Sequence, residues 1–386
     1  MILGLISTVG PLAIDMYLPA FPALAADLRA APSSVELSLV LFLCAMAAGQ
    51  LFYGPLTDAF GRKRPLQAGL AVFAVATVGC ALAPDIRTLL VLRVAQGLGA
   101  CSGMTVARAI VRDKHTGPEA AQLLSLMVLV WGVSPLFAPL AGSLVLQLGG
   151  WRLIFWILAV LVLLTLGLVT FGLEESHPQH RRTDPSVRLM LGTYVRLLQD
   201  RRLMGLTIGN GSWSGSVFSF LATSPFVFAH AFGLSPMGYG IMFGLCASGM
   251  VICSQANATV MRRLGAERQI RLVGLVAVSV AALLTSAVLL HLANLQVMAL
   301  GAFALFGCQG LSMTPASVTA LDNQGANAGA AAALMGAVQL AMGSAISALA
   351  SALFAPEPIV LVGTQLSCMT IGAVACRLAF RHRPNR

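Results

Sequence analysis

The chain of 386 residues is 58% hydrophobic and only 10% charged, with a mean hydropathy of +0.85 and a formal net charge of +10. Soluble domains carry about 25% charged residues, so this composition excludes an ordinary soluble protein and points to a chain embedded in lipid. Eight cysteines sit in or beside apolar runs without CxxC spacing, which argues against a disulfide framework or a zinc site; no metal and no cofactor are expected.

In chain order, apolar runs separated by short polar turns predict twelve spans. They lie at 2–26, 35–56, 66–84, 88–111, 119–147, 152–173, 202–230, 237–261, 269–290, 295–317, 327–353 and 357–379. Each is close to the ~20 residues needed to cross about 30 Å of hydrocarbon. The first has no basic leader and no small-residue cleavage site, so it reads as a retained helix rather than a secretory signal. Its "PLAIDMYLPAFP" contains the one acid of the opening run, Asp15. Turn-forming stretches such as "RAAPSS", "APDIR" and "GLSPMG" mark the breaks. One long polar stretch, 174–202, separates six spans from six. The expected architecture is an all-α integral membrane fold of twelve helices. It comprises a bundle at 1–173, a linker at 174–201 and a second bundle at 202–386.

Lysine and arginine fall mainly on one side of these spans. With a cytoplasmic N-terminus, nineteen lie in inner loops and the tail, against Arg29, Arg87 and Arg152 outside. The positive-inside bias therefore places both termini in the cytoplasm. It also assigns the basic pI to membrane-side anchors at the lipid surface, not to nucleic acid. The halves echo each other at an offset of 204 residues: Gly61 with Gly265, Arg64 with Arg268, Gly97 with Gly301, Gly132 with Gly336. Six crossings per half make this a parallel repeat. Asp15, Asp58 and Arg93 have no charged equivalent of the same sign in the second half, so the charged machinery is expected in the first.

Between spans 2 and 3 the chain reads "GPLTDAFGRKRP". Gly54 and Gly61 permit a tight turn, Asp58 suits a helix N-terminus, and Arg62, Lys63 and Arg64 suit the cytoplasmic surface. These residues fit a turn with positive anchors as well as a gate. The stretch resembles the signature loop of the major facilitator superfamily, Gly-x-Leu-x-Asp-x-x-Gly-Arg-Lys/Arg. That resemblance implies a loop that clamps the protein in one state, with Arg112 of "ARAIVRD" as the arginine partner of Asp58.

Span 4 carries "LLVLRVAQGLGA". An arginine within a span costs at least about 2.5 kcal/mol, so Arg93 should face water or a partner, or else snorkel to the outer surface. Arg93, Gly97 and Ala100 share one helical face. The stretch resembles the family's second signature, whose arginine takes part in proton coupling. In span 5, "WGVSPLFAPLAG" places Pro135 and Pro139 four residues apart, each kinking the helix, with Gly132 and Gly142 allowing close contact. It resembles the antiporter signature Gly-x-x-x-Gly-Pro-x-x-Gly-Gly, departing from it at Ser134 and Ala138. "IDMYLPAFP", "ARAIVRD", "GWRLIFW" and "SPFVF" are similar to the Bcr/CflA branch of drug:proton antiporters, over essentially the whole chain.

With about 1.5 Å of rise per residue, Asp15 should lie within about 2 Å of the midplane, the only acid near mid-membrane, with Arg93 about 9 Å outward. Asp15 is therefore expected to carry the coupled proton and contact substrate, with Arg93 assisting. Weaker substrate candidates are Trp131, Asn210, Trp213 and Gln309, which offer aromatic surface and a few polar groups for an amphipathic ligand. The expected activity is proton-coupled antiport of small drugs by alternating access, across a bacterial cytoplasmic membrane and as a monomer. The alternative is export of a native metabolite such as an amino acid or small peptide. No HExxH, GxSxG, Walker-type loop or paired carboxylates suggest an enzyme.

Overall fold

The computed structural model describes residues 2–115, 117–178, 187–322, 324–353 and 357–381, with the side chains of 187–191, 326, 353 and several residues between 117 and 131 outside that set. Thirteen α-helices follow one another in the described chain: α1 (Ile2–Asp15), α2 (Phe21–Asp27), α3 (Pro32–Phe60), α4 (Lys63–Leu82), α5 (Ile86–Lys114), α6 (Gly117–Gly172), α7 (Val187–Gln199), α8 (Arg201–Phe232), α9 (Pro236–Leu264), α10 (Ala266–Leu289), α11 (Leu295–Leu321), α12 (Ala328–Leu353) and α13 (Pro358–Arg381). Among the described residues, eleven segments are long and apolar enough to cross a membrane. One of them, 132–172, would rise about 60 Å as a straight helix, twice the hydrocarbon thickness. It bends at Gly149–Gly150, where Gly150 takes φ 73°, and so supplies two crossings. That brings the total to the twelve expected.

Local chemistry sets the helix starts. The Asp85 carboxylate accepts the Thr88 N–H at the head of α5, Asp200 accepts from Arg202 and Leu203 at α8, and Ser235 and Asn294 cap α9 and α11. Each side-chain acceptor satisfies a backbone donor that the helix leaves unpaired. The Thr88 N–H holds the exposed Asp85 carboxyl below its ordinary range. Gly61 and Gly265 both take positive φ, at 86° and 74°, so the 204-residue repeat is also a repeat of backbone geometry.

Two expectations change. The first span is not one helix: α1 stops at Asp15, a 3-10 turn occupies Leu18–Ala20, and α2 follows. Pro19 has no N–H to offer the Asp15 carbonyl, so that acceptor lacks its helical donor at the break. The linker, expected as a polar loop, contains the amphipathic helix α7.

The chain forms two compact units, Met1–Val187 and Arg188–Arg386. In the first, α1 and α4 pack on α6, and α5 packs between α3 and α4. In the second, α8 packs on α12 and α13, α9 on α11, and α10 on α11 and α13. Large apolar side chains such as Val75, Phe171, Leu283 and Leu300 remain exposed, as expected of surfaces that meet acyl chains instead of water.

Candidate transport site and gate

The break in the first span places Asp15 at the C-terminal end of α1, only 4% exposed. One carboxylate oxygen accepts a hydrogen bond from the Ser134 hydroxyl of α6 at 3.1 Å. Two turns further along α6, Gly142 lies directly on the Met16 backbone, so close that a Cβ would collide with the Met16 carbonyl. α5 approaches from another side: a Cβ on Gly103 would come within 2.7 Å of the Ile6 carbonyl. The sequence stretches around Asp15 and around Pro139 therefore meet. Ser134, a departure from the antiporter pattern, is the residue that bonds the acid.

Arg93 is fully buried, which removes the snorkelling reading. Its Nη1 donates to the Ala13 carbonyl at 3.3 Å and to Gln96 Oε1 at 2.5 Å. Its guanidinium lies 4.2 Å from the Phe42 ring centroid and 4.8 Å from that of Tyr17. Gln96 passes the chain on to Thr77 at 2.9 Å, and Tyr17 shares a hydrogen bond with Ser38. No ion pair joins Arg93 to Asp15 among the described residues. The arginine reaches that part of α1 through the Ala13 carbonyl, and aromatic faces supply much of its electrostatic support. Gly97, on the same face of α5, meets the Phe42 carbonyl of α3.

The gate loop is tighter than expected. α3 continues to Phe60, so Asp58 lies in the last turn of a helix, not at an N-terminus, and Gly61 with Arg62 makes the whole connection. Arg62 is buried and binds three acceptors: Thr57 Oγ1 at 2.9 Å, Asp58 and, through Nε and Nη2, Asp113 at 2.8 and 3.3 Å. Burial alone would pull this guanidinium down; its bonds to Asp113 and Asp58 outweigh that and hold it above its ordinary value. Arg112, expected as the partner of Asp58, is exposed, as is Arg64, and it is the neighbouring Asp113 that turns inward. Glu175, just past α6, accepts the backbone N–H groups of Arg62 at 2.8 Å and Lys63 at 3.1 Å, while Ser176 donates to Asp113 at 3.2 Å. Gly54 lies within α3 with open space at its missing Cβ.

In the second unit, Trp213 is 2% exposed and lies against Gly274 of α10 and Gly372 of α13, its indole N–H directed to the Met369 carbonyl at 3.3 Å. That is a helix-packing position between α8, α10 and α13. Asn210 and Gln309 are buried, and Gln309 Nε2 donates to Ser214 Oγ at 3.0 Å. The side chain of Trp131 lies outside the described residues. Gly132, Pro135 and Pro139 occupy α6 as expected.

The profile of the Major Facilitator Superfamily matches residues 3–351. The chain belongs to the major facilitator superfamily. It is a multi-pass membrane transporter, not an enzyme. It is 35% identical over 354 residues to an uncharacterized MFS-type transporter, YdgK, of Bacillus subtilis, covering 90% of this chain and 87% of the relative. A bicyclomycin resistance protein homolog of Haemophilus influenzae is 26% identical over 97% of this chain and 94% of its own. The multidrug resistance protein MdtL of Escherichia coli is 32% identical over 61% of this chain and 60% of its own. A crystal structure of a D-xylose-proton symporter superposes with a TM-score of 0.75 at 16% identity, covering 99% of this chain and 98% of the symporter, and shares the fold.

Several residues of this transporter's site escape a reading by motif. Ser134, Asp113 and Glu175 are single polar residues whose partners lie tens of residues away in sequence, and Gln96 links Arg93 to Thr77 of α4. Glu36 is a second buried acid, 2% exposed near the start of α3. A signal for it exists: Glu36, Val40, Leu43 and Ala47 follow i, i+4, i+7, i+11 spacing, so the acid belongs to an otherwise apolar, buried helical face.

Proposed function

We propose that this transporter is a proton-coupled antiporter that exports small amphipathic drugs of bicyclomycin or chloramphenicol type. It acts as a monomer in the bacterial cytoplasmic membrane, with both termini in the cytoplasm. The observation that carries the reading is Asp15: a buried carboxylate at the end of a broken helix, bonded by Ser134 of the helix with the antiporter-like signature. Discontinuous spans are a common place for transporters to bind ions and substrates. The names of the bicyclomycin-resistance and multidrug-resistance relatives support the substrate class.

Drug enters from the cytoplasmic side while Asp15 is ionised. Outward opening exposes the acid, a periplasmic proton neutralises it, the drug leaves, and the protonated form returns. Arg93 fixes the α1 backbone just before the acid through the Ala13 carbonyl. The Asp58–Arg62–Asp113 cluster holds the α3–α4 connection in one of the alternating states.

The test is transport in proteoliposomes under an imposed pH gradient, wild type against Asp15→Asn. One pH unit corresponds to about 1.4 kcal/mol per proton, so two units drive about 100-fold accumulation for one-for-one exchange. Wild type should approach that ratio for chloramphenicol, with protons moving the opposite way, and Asp15→Asn should reach no gradient. Full gradient-driven transport by Asp15→Asn would remove the assigned role. A wild type that moves no drug but exchanges an amino acid or small peptide for protons would keep the mechanism and replace the substrate.

A further inference from the structure

Among the described residues of the second unit, nine buried side-chain hydrogen-bonding atoms have no hydrogen-bond partner, and four of them belong to Thr207, Asn210 and Gln309: Thr207 Oγ1, Asn210 Oδ1, Asn210 Nδ2 and Gln309 Oε1. Thr207, Asn210 and Ser214 follow i, i+3, i+7 spacing and so share one face of α8. Gln309 of α11 is tied to that face by its bond to Ser214. The neighbouring helices bring these atoms no partner: Gly209 meets α13 on another face of α8, and Gly211 and Gly215 meet α12 along its flank. A buried amide with both its donor and its acceptor idle is costly. Proteins keep such groups where something else completes them.

We infer that the Thr207–Asn210–Gln309 face is a recognition subsite for a neutral solute carrying an amide together with a hydroxyl. The Asn210 carboxamide presents a donor and an acceptor on one plane, the complement of a ligand amide N–H and C=O. Gln309 Oε1 is a pure acceptor and requires a further donor, which a ligand hydroxyl supplies; Thr207 adds a group of either sense. None of these side chains is ionisable, so this subsite discriminates by hydrogen bonding and leaves charge aside. A site built to hydrogen-bond its ligand rejects analogues that lack those groups, because its own polar atoms then stay unpaired. The inference rests on the export reading for its choice of drug probes.

The experiment measures binding to the purified full-length protein by calorimetry, and unfolding temperature alongside it, for wild type, Asn210→Leu and Gln309→Leu. The probes are chloramphenicol, which is neutral and carries an amide and hydroxyls, and tetraphenylphosphonium, a cation with no hydrogen-bonding group. Asn210→Leu removes two idle polar atoms, so its unfolding temperature should rise or hold. Its affinity for chloramphenicol should fall tenfold or more relative to tetraphenylphosphonium, and Gln309→Leu should move the ratio in the same direction. An unchanged ratio overturns the subsite. So does a lower unfolding temperature with equal loss for both probes, the signature of a structural water network. If wild type binds neither probe, the drug reading fails separately, and N-acetylserinamide is titrated instead. Binding that Asn210→Leu abolishes sustains the subsite; no binding overturns it.

Discussion

Asp58 is the acid that the signature loop singles out, yet the structure assigns the stronger bond to Asp113. Asp113 takes two N–H groups from Arg62 and a hydroxyl from Ser176, and its side chain is 18% exposed, against 51% for Asp58. Hydrogen bonds to charged groups contribute about 1.5–3 kcal/mol. Asp113→Asn keeps the shape but loses the charge and one acceptor, a cost of about 2 kcal/mol. Exposed ion pairs contribute about 0.2–1 kcal/mol. Asp58 also lies at a helix C-terminus, where a negative charge is unfavourable by roughly 0.3 kcal/mol or more, so Asp58→Asn should cost less than about 0.5 kcal/mol. For a unit of this size 1 kcal/mol shifts the unfolding midpoint by about 2–4 °C. Scanning fluorimetry in detergent should therefore show Asp113→Asn lower by about 4–8 °C, Asp58→Asn within about 2 °C of wild type, and Arg112→Ala unchanged. If Asp58→Asn or Arg112→Ala falls further than Asp113→Asn, the clamp is not built around Arg62 and Asp113 as described.

Three further outcomes separate structure from transport. Arg93→Met should fold as well as wild type or better, because a buried charge replaced by an apolar side chain of similar volume is commonly neutral or stabilising, while proton-driven transport is lost; failure to fold would make Arg93 a structural residue. Gly142→Ala drives a Cβ into the Met16 backbone, which cannot rotate away, and should cost about 1–3 kcal/mol. Gly54→Ala meets no other element, but its Cβ precedes Pro55, which disfavours helical backbone there, so its unfolding midpoint should move less than that of Gly142→Ala. Trp213→Ala should cost about 3–5 kcal/mol through the cavity left between α8, α10 and α13, read as lost folded yield in size-exclusion chromatography, with the substrate profile of the surviving protein unaltered.

The number of spans and the division into halves were legible because bilayer thickness imposes a length and a hydropathy on each helix, a local property that a window of ~20 residues reports. The Gly61/Gly265 correspondence was legible for a related reason: only glycine readily accepts a positive φ at a tight turn, and both positions take one. Asp15 and Arg93 stood out because a charge in an apolar run is expensive. What each charge touches was not legible. Arg93 was expected to face water or a partner or to snorkel outward, and it lies against two aromatic rings and the Ala13 carbonyl. Trp213, one turn from Asn210, was grouped with it, although its ring packs against Gly274 of α10 and Gly372 of α13.

The sequence by itself therefore determined the membrane fold, the repeat and the positions where charge is anomalous, because those follow from the chain's exchange with solvent and lipid one segment at a time. Only the tertiary structure decided that α1 ends at Asp15, that Ser134 is the acid's hydrogen-bond donor, that Asp113 and not Arg112 completes the Arg62 clamp, and that Glu175 caps the following helix. These are pairings between residues up to 119 positions apart. Hydrogen bonds and close contacts act over about 3 Å, and which side chains come within that distance is fixed by how helices rotate and cross, not by the order in which they are written.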